Sequence, residues 1–149
     1  MTRIPELLRT FVTHRARDLC EYCQTAQIIV VSMEIDHIIP EVADGLTIES
    51  YLCLTCRACN SFKQDFQTGI DPETGDIVPL FNPRTQIWSD HFKWTINGLN
   101  LIGLTPSGRA TINRLRINRD GVVASRRLWV QAGWYPPKMD LFPATTIAP

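Results

Sequence analysis

The sequence predicts an α+β protein: a metal-stapled strand–loop–strand–helix frame, an N-terminal helix before it, and a hairpin followed by helices after it. Three observations carry this expectation. Four of the five cysteines fall in two Cys-x-x-Cys pairs, Cys20/Cys23 and Cys56/Cys59, with 32 residues between the pairs. A β-branched, apolar stretch stopped by Pro40 lies between them. Further on, Asn97-Gly98 separates two strand-like runs, and Thr105-Pro106 follows as a helix start.

Taken in order, residues 5–19 read as a helix. Pro5 suits the first helical position and Glu6 the first turn. Leu8, Phe11, Val12, Ala16 and Leu19 recur on one face, with Arg9, Arg17 and Asp18 opposite. Residues 27–39 are strand-like. Glu41 to Gly45 is a loop with Asp44-Gly45 as its turn signal, and residues 51–54 form a short second strand. Asn60 to Phe66 suits a helix ended near Gly69. Asp71-Pro72-Glu73-Thr74-Gly75-Asp76 is turn-forming. Residues 91–96 and 99–104 make the hairpin. A helix then runs from Thr105 to about Asn118. A last one opens at Asp120-Gly121, turns Val122, Val123, Trp129 and Val130 inward, and ends near Gly133. Residues 138–149 are expected to be a loose tail.

The chain has 149 residues, enough to bury a core without obligatory disulfides. Its 44% hydrophobic and 20% charged residues exclude a disordered or fibrous chain. The aliphatic run Ile28 to Val31 is far short of a membrane span, and the start carries no apolar leader segment, so the expected setting is soluble and cytoplasmic. In that setting disulfides are disfavoured, and a redox pair would not explain the duplicate knuckle. Structural zinc held by Cys20, Cys23, Cys56 and Cys59 is the reading that fits, with iron in the same four thiolates as the alternative. Cys53 lies in the apolar run Tyr51 to Leu54 and reads as a small buried hydrophobe.

Net charge is zero, which removes the global signature of a polyanion-binding protein. The distribution is uneven. Glu34 to Ser50 carries five acids and no Lys or Arg, whereas Thr105 to Arg127 carries six arginines against Asp120. These arginines suit either phosphate forks or a solvated helix face. His14 and His91 are ordinary. The four tryptophans each fall in an apolar pattern and read as core rather than as a base-stacking platform.

Between the knuckles stands Glu34-Ile35-Asp36-His37-Ile38-Ile39-Pro40, and after the last cysteine come Asn60 and Lys63. Together with Cys20-x-x-Cys23 and Leu52-x-Leu54-x-Cys56-x-x-Cys59-Asn60-x-x-Lys63, this resembles the HNH endonucleases, the ββα-metal nucleases. The resemblance covers residues 20–63. It implies an HNH nuclease core over 1–70, with a hairpin-and-helix extension over 71–137 packed on that core. It also implies an enzyme that hydrolyses DNA phosphodiester bonds. His37 would be the general base, since an imidazole suits proton abstraction at neutral pH. Asp36 and Asn60 would hold Mg²⁺ or another divalent cation, and Lys63 would complete the catalytic set. Arg57, Lys63, Arg109, Arg116 and Arg126 are the candidate DNA contacts. Neighbours on a strand face opposite ways, so β structure must end or twist at Asp36-His37 for both to serve one site. The chain departs from the family at one point: the middle Asn, which in the family braces the loop carrying the His, aligns with Tyr51. The alternative function is a catalytically degenerate, zinc-stapled module that binds nucleic acid or protein. Oligomeric state is not readable.

Overall fold

In the computed structural model, residues 2–138 are described; the tail expected over 138–149 lies, apart from Lys138, outside them. Helix α1 spans Glu6–Arg15. It buries Val12 completely and half-buries Leu8 and Phe11, as the apolar stripe requires. No helix among the described residues is long and apolar enough to cross a membrane.

The first knuckle follows, and then the segment expected to be one strand divides. Gln27–Val30 is a single helical turn, α2. Val31 then takes a left-handed backbone (φ 71°), and strand β1 begins only at Met33 and ends at His37. Ile28 and Val31 are exposed, so their β-branched side chains find no sheet surface to pack on. Without that surface strand propensity does not decide the conformation.

β1 pairs antiparallel with β2, Leu52–Cys56, with Met33 opposite Cys56 and His37 opposite Leu52. β2 is buried at every position. Helix α3, Arg57–Lys63, follows it directly. It starts three residues earlier than expected because the Cys56 sulfur caps it, accepting from the Cys59 amide. It stops at Gln64, which has φ 52°.

Beyond α3 the turn at 71–76 joins two short strands, β3 (Thr68–Ile70) and β4 (Ile77–Pro79), a pair the sequence reading did not anticipate. A turn of helix, α4 (Trp88–His91), leads into β5 (Phe92–Trp94), which pairs with β6 (Leu101–Gly103) about the Asn97-Gly98 turn. Gly98 supplies the positive φ of 75°. Helix α5, Pro106–Arg114, is capped by the Thr105 hydroxyl, which accepts from the Gly108 amide. It ends before Asn118, and the turn after it buries Leu115 and Ile117. Helix α6 spans Asp120–Gln131. Its buried residue is Arg126, while Val122, Val123, Trp129 and Val130 are only half-buried.

Two buried clusters hold the fold. One packs α1 on β2 through Val12, Ala16, Leu52 and Leu54. The other runs across residue 70, joining the four paired cysteines, Tyr22, Ile38 and Cys53 to Leu80, Phe81, Phe92, Leu101, Leu115 and Ile117.

Candidate metal centre and catalytic face

Each knuckle is a tight turn. In the first, the Cys20 amide donates to Thr25 O and the Gln24 amide to Cys20 O, with Gln24 left-handed at φ 59°. The second is the β2–α3 junction. Together they bring the sulfurs of Cys20, Cys23, Cys56 and Cys59 within 4.8 Å of one another, all buried. A tetrahedral ion with Zn–S bonds of about 2.3 Å needs sulfurs about 3.8 Å apart. Cys23 and Cys56 stand at 3.8 Å. The donor set, its closeness and its burial therefore fit a four-thiolate metal ion. Within the cluster, hydrogen bonding first from Cys20 and then from Cys56 pulls the Cys23 thiol well below its ordinary range.

The second constellation lies between β1 and α3. Strand alternation sends Glu34 and Asp36 to one face, and α3 covers it. Asn60 Nδ2 donates to Glu34 Oε1 at 2.9 Å. One turn on, Lys63 Nζ stands 2.9 Å from Asp36 Oδ2 and donates to His37 O at 3.3 Å. Asn60 and Lys63 thus share a helix face, three residues apart. Lys63 is 2% exposed, its ammonium enclosed by the groups it pairs with. Burial pushes the Asp36 carboxyl above its usual range, against the pull of Lys63.

His37 is the last residue of β1, and its ring turns to the following loop. Nε2 lies 2.9 Å from the Thr47 hydroxyl and 3.5 Å from Glu41 Oε1. Among the described residues Nδ1 has no hydrogen-bond partner. The loop is tied at its base by the Ile38 amide, which donates to Tyr51 O at 2.8 Å. The brace on the His37 loop is therefore backbone at the position where the sequence departs from the family pattern. Gly45 packs directly on the Ile39 carbonyl, where a Cβ has no room.

Asp36, His37, Asn60 and Lys63 are thus gathered at one strand end and helix, although Asn60 bonds Glu34 rather than Asp36. Glu34, Thr47 and Glu41 received no role from the sequence. The spacing of Glu34, two residues before Asp36, was a usable signal for a shared face; nothing local marks Thr47.

The candidate DNA contacts separate. Arg57 is exposed at the start of α3, and Arg116 is exposed with its guanidinium 5.3 Å from the Phe62 ring centre, beside Arg119 at 5.4 Å. Three others do not fit the phosphate-facing role expected of them. Arg109 is forked onto Asp71 at 2.9 and 2.8 Å. Arg126 is 1% exposed and donates inward to Leu99 O, Ile117 O and Asn118 Oδ1. Lys63 is buried on Asp36. A cleft of about 630 Å³ opens between α3 and α6, lined in part by Arg57, Phe62, Arg119, Arg126 and Trp129.

Residues 20–66 match the family model of the HNH endonucleases, which bears out the resemblance in the segment that carries both constellations. No curated protein and no solved structure matches the chain.

Proposed function

We propose, on the HNH match over residues 20–66, that the protein is a divalent-metal-dependent endonuclease hydrolysing DNA phosphodiester bonds. In this reading β1, β2 and α3 are the ββα-metal core, residues 1–70 form the nuclease unit, and 71–137 form an extension. The observation that carries it is the placement of Asp36 and His37 at the end of β1, with Asn60 and Lys63 of α3 bonded to the Glu34 and Asp36 side chains of that strand.

Four thiolates leave no open position for substrate, so the cysteine centre holds structural zinc. Asp36 and Asn60 supply hard oxygen donors suited to Mg²⁺. A bound divalent cation would neutralise charge on the scissile phosphate. His37 takes the proton of the attacking water at Nδ1. That role requires the tautomer with its proton on Nε2, which can then donate to the Thr47 hydroxyl, and Glu41 faces the same edge to stabilise the imidazolium that forms. Lys63, pinned to the His37 carbonyl, fixes the strand end beneath the base. Of the candidate contacts, Arg57 and Arg116 are the exposed cations available to DNA phosphates.

Supercoiled plasmid nicking with Mg²⁺ or Mn²⁺, with and without chelator, tests the reading. His37→Ala should lower the rate by about 10²–10⁴ with zinc content and fold intact. Wild-type protein that cleaves neither duplex nor single-stranded DNA with either metal would sink it. The Lys63–Asp36 pair and the Tyr51 position favour a second reading, a degenerate zinc-stapled module. Its signature is DNA or protein binding without cleavage.

A further inference from the structure

The first knuckle is held from outside. Glu21, Tyr22 and Cys23 are consecutive, and each takes a side chain from beyond residue 80. Arg84 forms an ion pair with Glu21. Trp88 Nε1 donates to Tyr22 O at 2.8 Å, and the Tyr135 hydroxyl donates to Cys23 O at 2.9 Å. Trp94 Nε1 donates to that same hydroxyl at 2.8 Å, so its one proton is committed to the knuckle.

The guanidinium of Arg126 lies 5.4 Å from the Tyr135 ring centre. Its three acceptors, Leu99 O, Ile117 O and Asn118 Oδ1, are all neutral, and its Nε has no partner. Among the described residues no carboxylate forms an ion pair with it. A buried cation without a counter-charge is costly. Arg126 lines the same cleft as Cys23, Cys56 and Cys59. Four thiolates around a divalent cation make a net dianion, the charge that Arg126 lacks.

We propose that the C-terminal extension is the outer shell of the cysteine metal centre. Arg126 supplies its buried counter-charge, and Trp88 and Tyr135 act as positioning residues that fix the backbone of its ligand loop. Metal loading and docking of α6 with Tyr135 then stabilise one another. This rests on the metal centre and is independent of nuclease activity.

Zinc affinity of the full chain, measured by competition with a chromophoric chelator, reads the effect. Outer-shell partners of metal ligands typically contribute about 10- to 100-fold in affinity, and Tyr135→Phe should lose zinc affinity in that range. Arg126→Met should lose more than Arg126→Lys, because both remove the fork and only lysine keeps the charge. Should Arg126→Met not fold, Tyr135→Phe, which deletes one oxygen, decides alone. Hydrogen exchange of the α6 amides should quicken on metal removal. Wild-type zinc affinity in Tyr135→Phe, or α6 protection indifferent to zinc, would overturn the proposal.

Discussion

Asn60 shows how one hydrogen bond selects which atom of a side chain is free. A carboxylate only accepts, so the amide must give Glu34 its Nδ2, and Oδ1 is the end left for a cation. If Asn60 holds the cation as proposed, Glu34 works through it, as outer-shell groups orient metal ligands elsewhere. Glu34→Ala releases the amide to rotate, whereas Glu34→Gln keeps an acceptor in place. The expected result is Mn²⁺ affinity weakened about 10-fold or more in the alanine variant and less in the glutamine variant, read by titration calorimetry on the zinc-loaded protein. Equal affinity in wild type and Glu34→Ala would remove the role. Much of this face was legible in the sequence, because alternation on a strand and the three-residue step on a helix are local rules. The partners of His37 were not. Thr47 reaches the ring across a loop whose path depends on the Gly45 contact with Ile39 and on the tie between Ile38 and Tyr51.

Hairpin β3–β4 is secured by its turn. Asp71 accepts from the Glu73 amide and the Thr74 hydroxyl, and Arg109 on α5 forks onto it. Its hydrogen bonds from Arg109, ahead of those from Glu73 and Thr74, hold the Asp71 carboxyl well below the usual range. A lowered acid pKa means that the unfolded chain binds the proton more readily. The contribution to stability is therefore full above the ordinary carboxylate value of about 3.9 and is lost as pH falls below it. Asp71→Asn should lower the urea midpoint at pH 7 and converge on wild type in strong acid. A gap that stays constant across that range would show that the charge of Asp71 contributes nothing. The same comparison explains which elements were readable. Thr105-Pro106 and Asn97-Gly98 act locally, so the start of α5 and the β5–β6 turn stand where expected. Helix α6 keeps Val122, Val123, Trp129 and Val130 half-buried, but its fully buried residue is Arg126, because three inward acceptors satisfy the guanidinium. Gln27–Val30 lost its strand for want of a neighbour to pair with.

The cysteine cluster is part of the larger buried core. Structural zinc contributes an apparent binding energy of about 10–16 kcal/mol, comparable with the roughly 5–15 kcal/mol of net stability in a whole domain. Chelation should therefore unfold at least residues 20–63, and Cys56→Ser should yield poorly soluble protein. Cys53 gives the contrast. It is buried outside the knuckles, and burial pushes its thiol up to about 12. In the folded protein it should resist alkylation at neutral pH and become reactive once the metal is stripped, and Cys53→Ser should be the milder variant. Thermal melts, alkylation rates and metal content together check this. Less than half an equivalent of zinc or iron in the purified protein would rule the centre out.

The knuckles also bear on how the segment between the strands can change. β1 and β2 are held together by their ladder and by the Ile38–Tyr51 tie, so the chain from Ile39 to Ser50 is a closed loop on a fixed stem. Closing a longer loop on such a stem costs only about 0.6 kcal/mol per doubling of its length. That same loop brings Glu41 and Thr47 to the edge of the His37 ring. The groups that meet the ring are thus carried on the part of the frame most tolerant of insertion and deletion. The stem beneath them, stapled at its far end, has no such freedom.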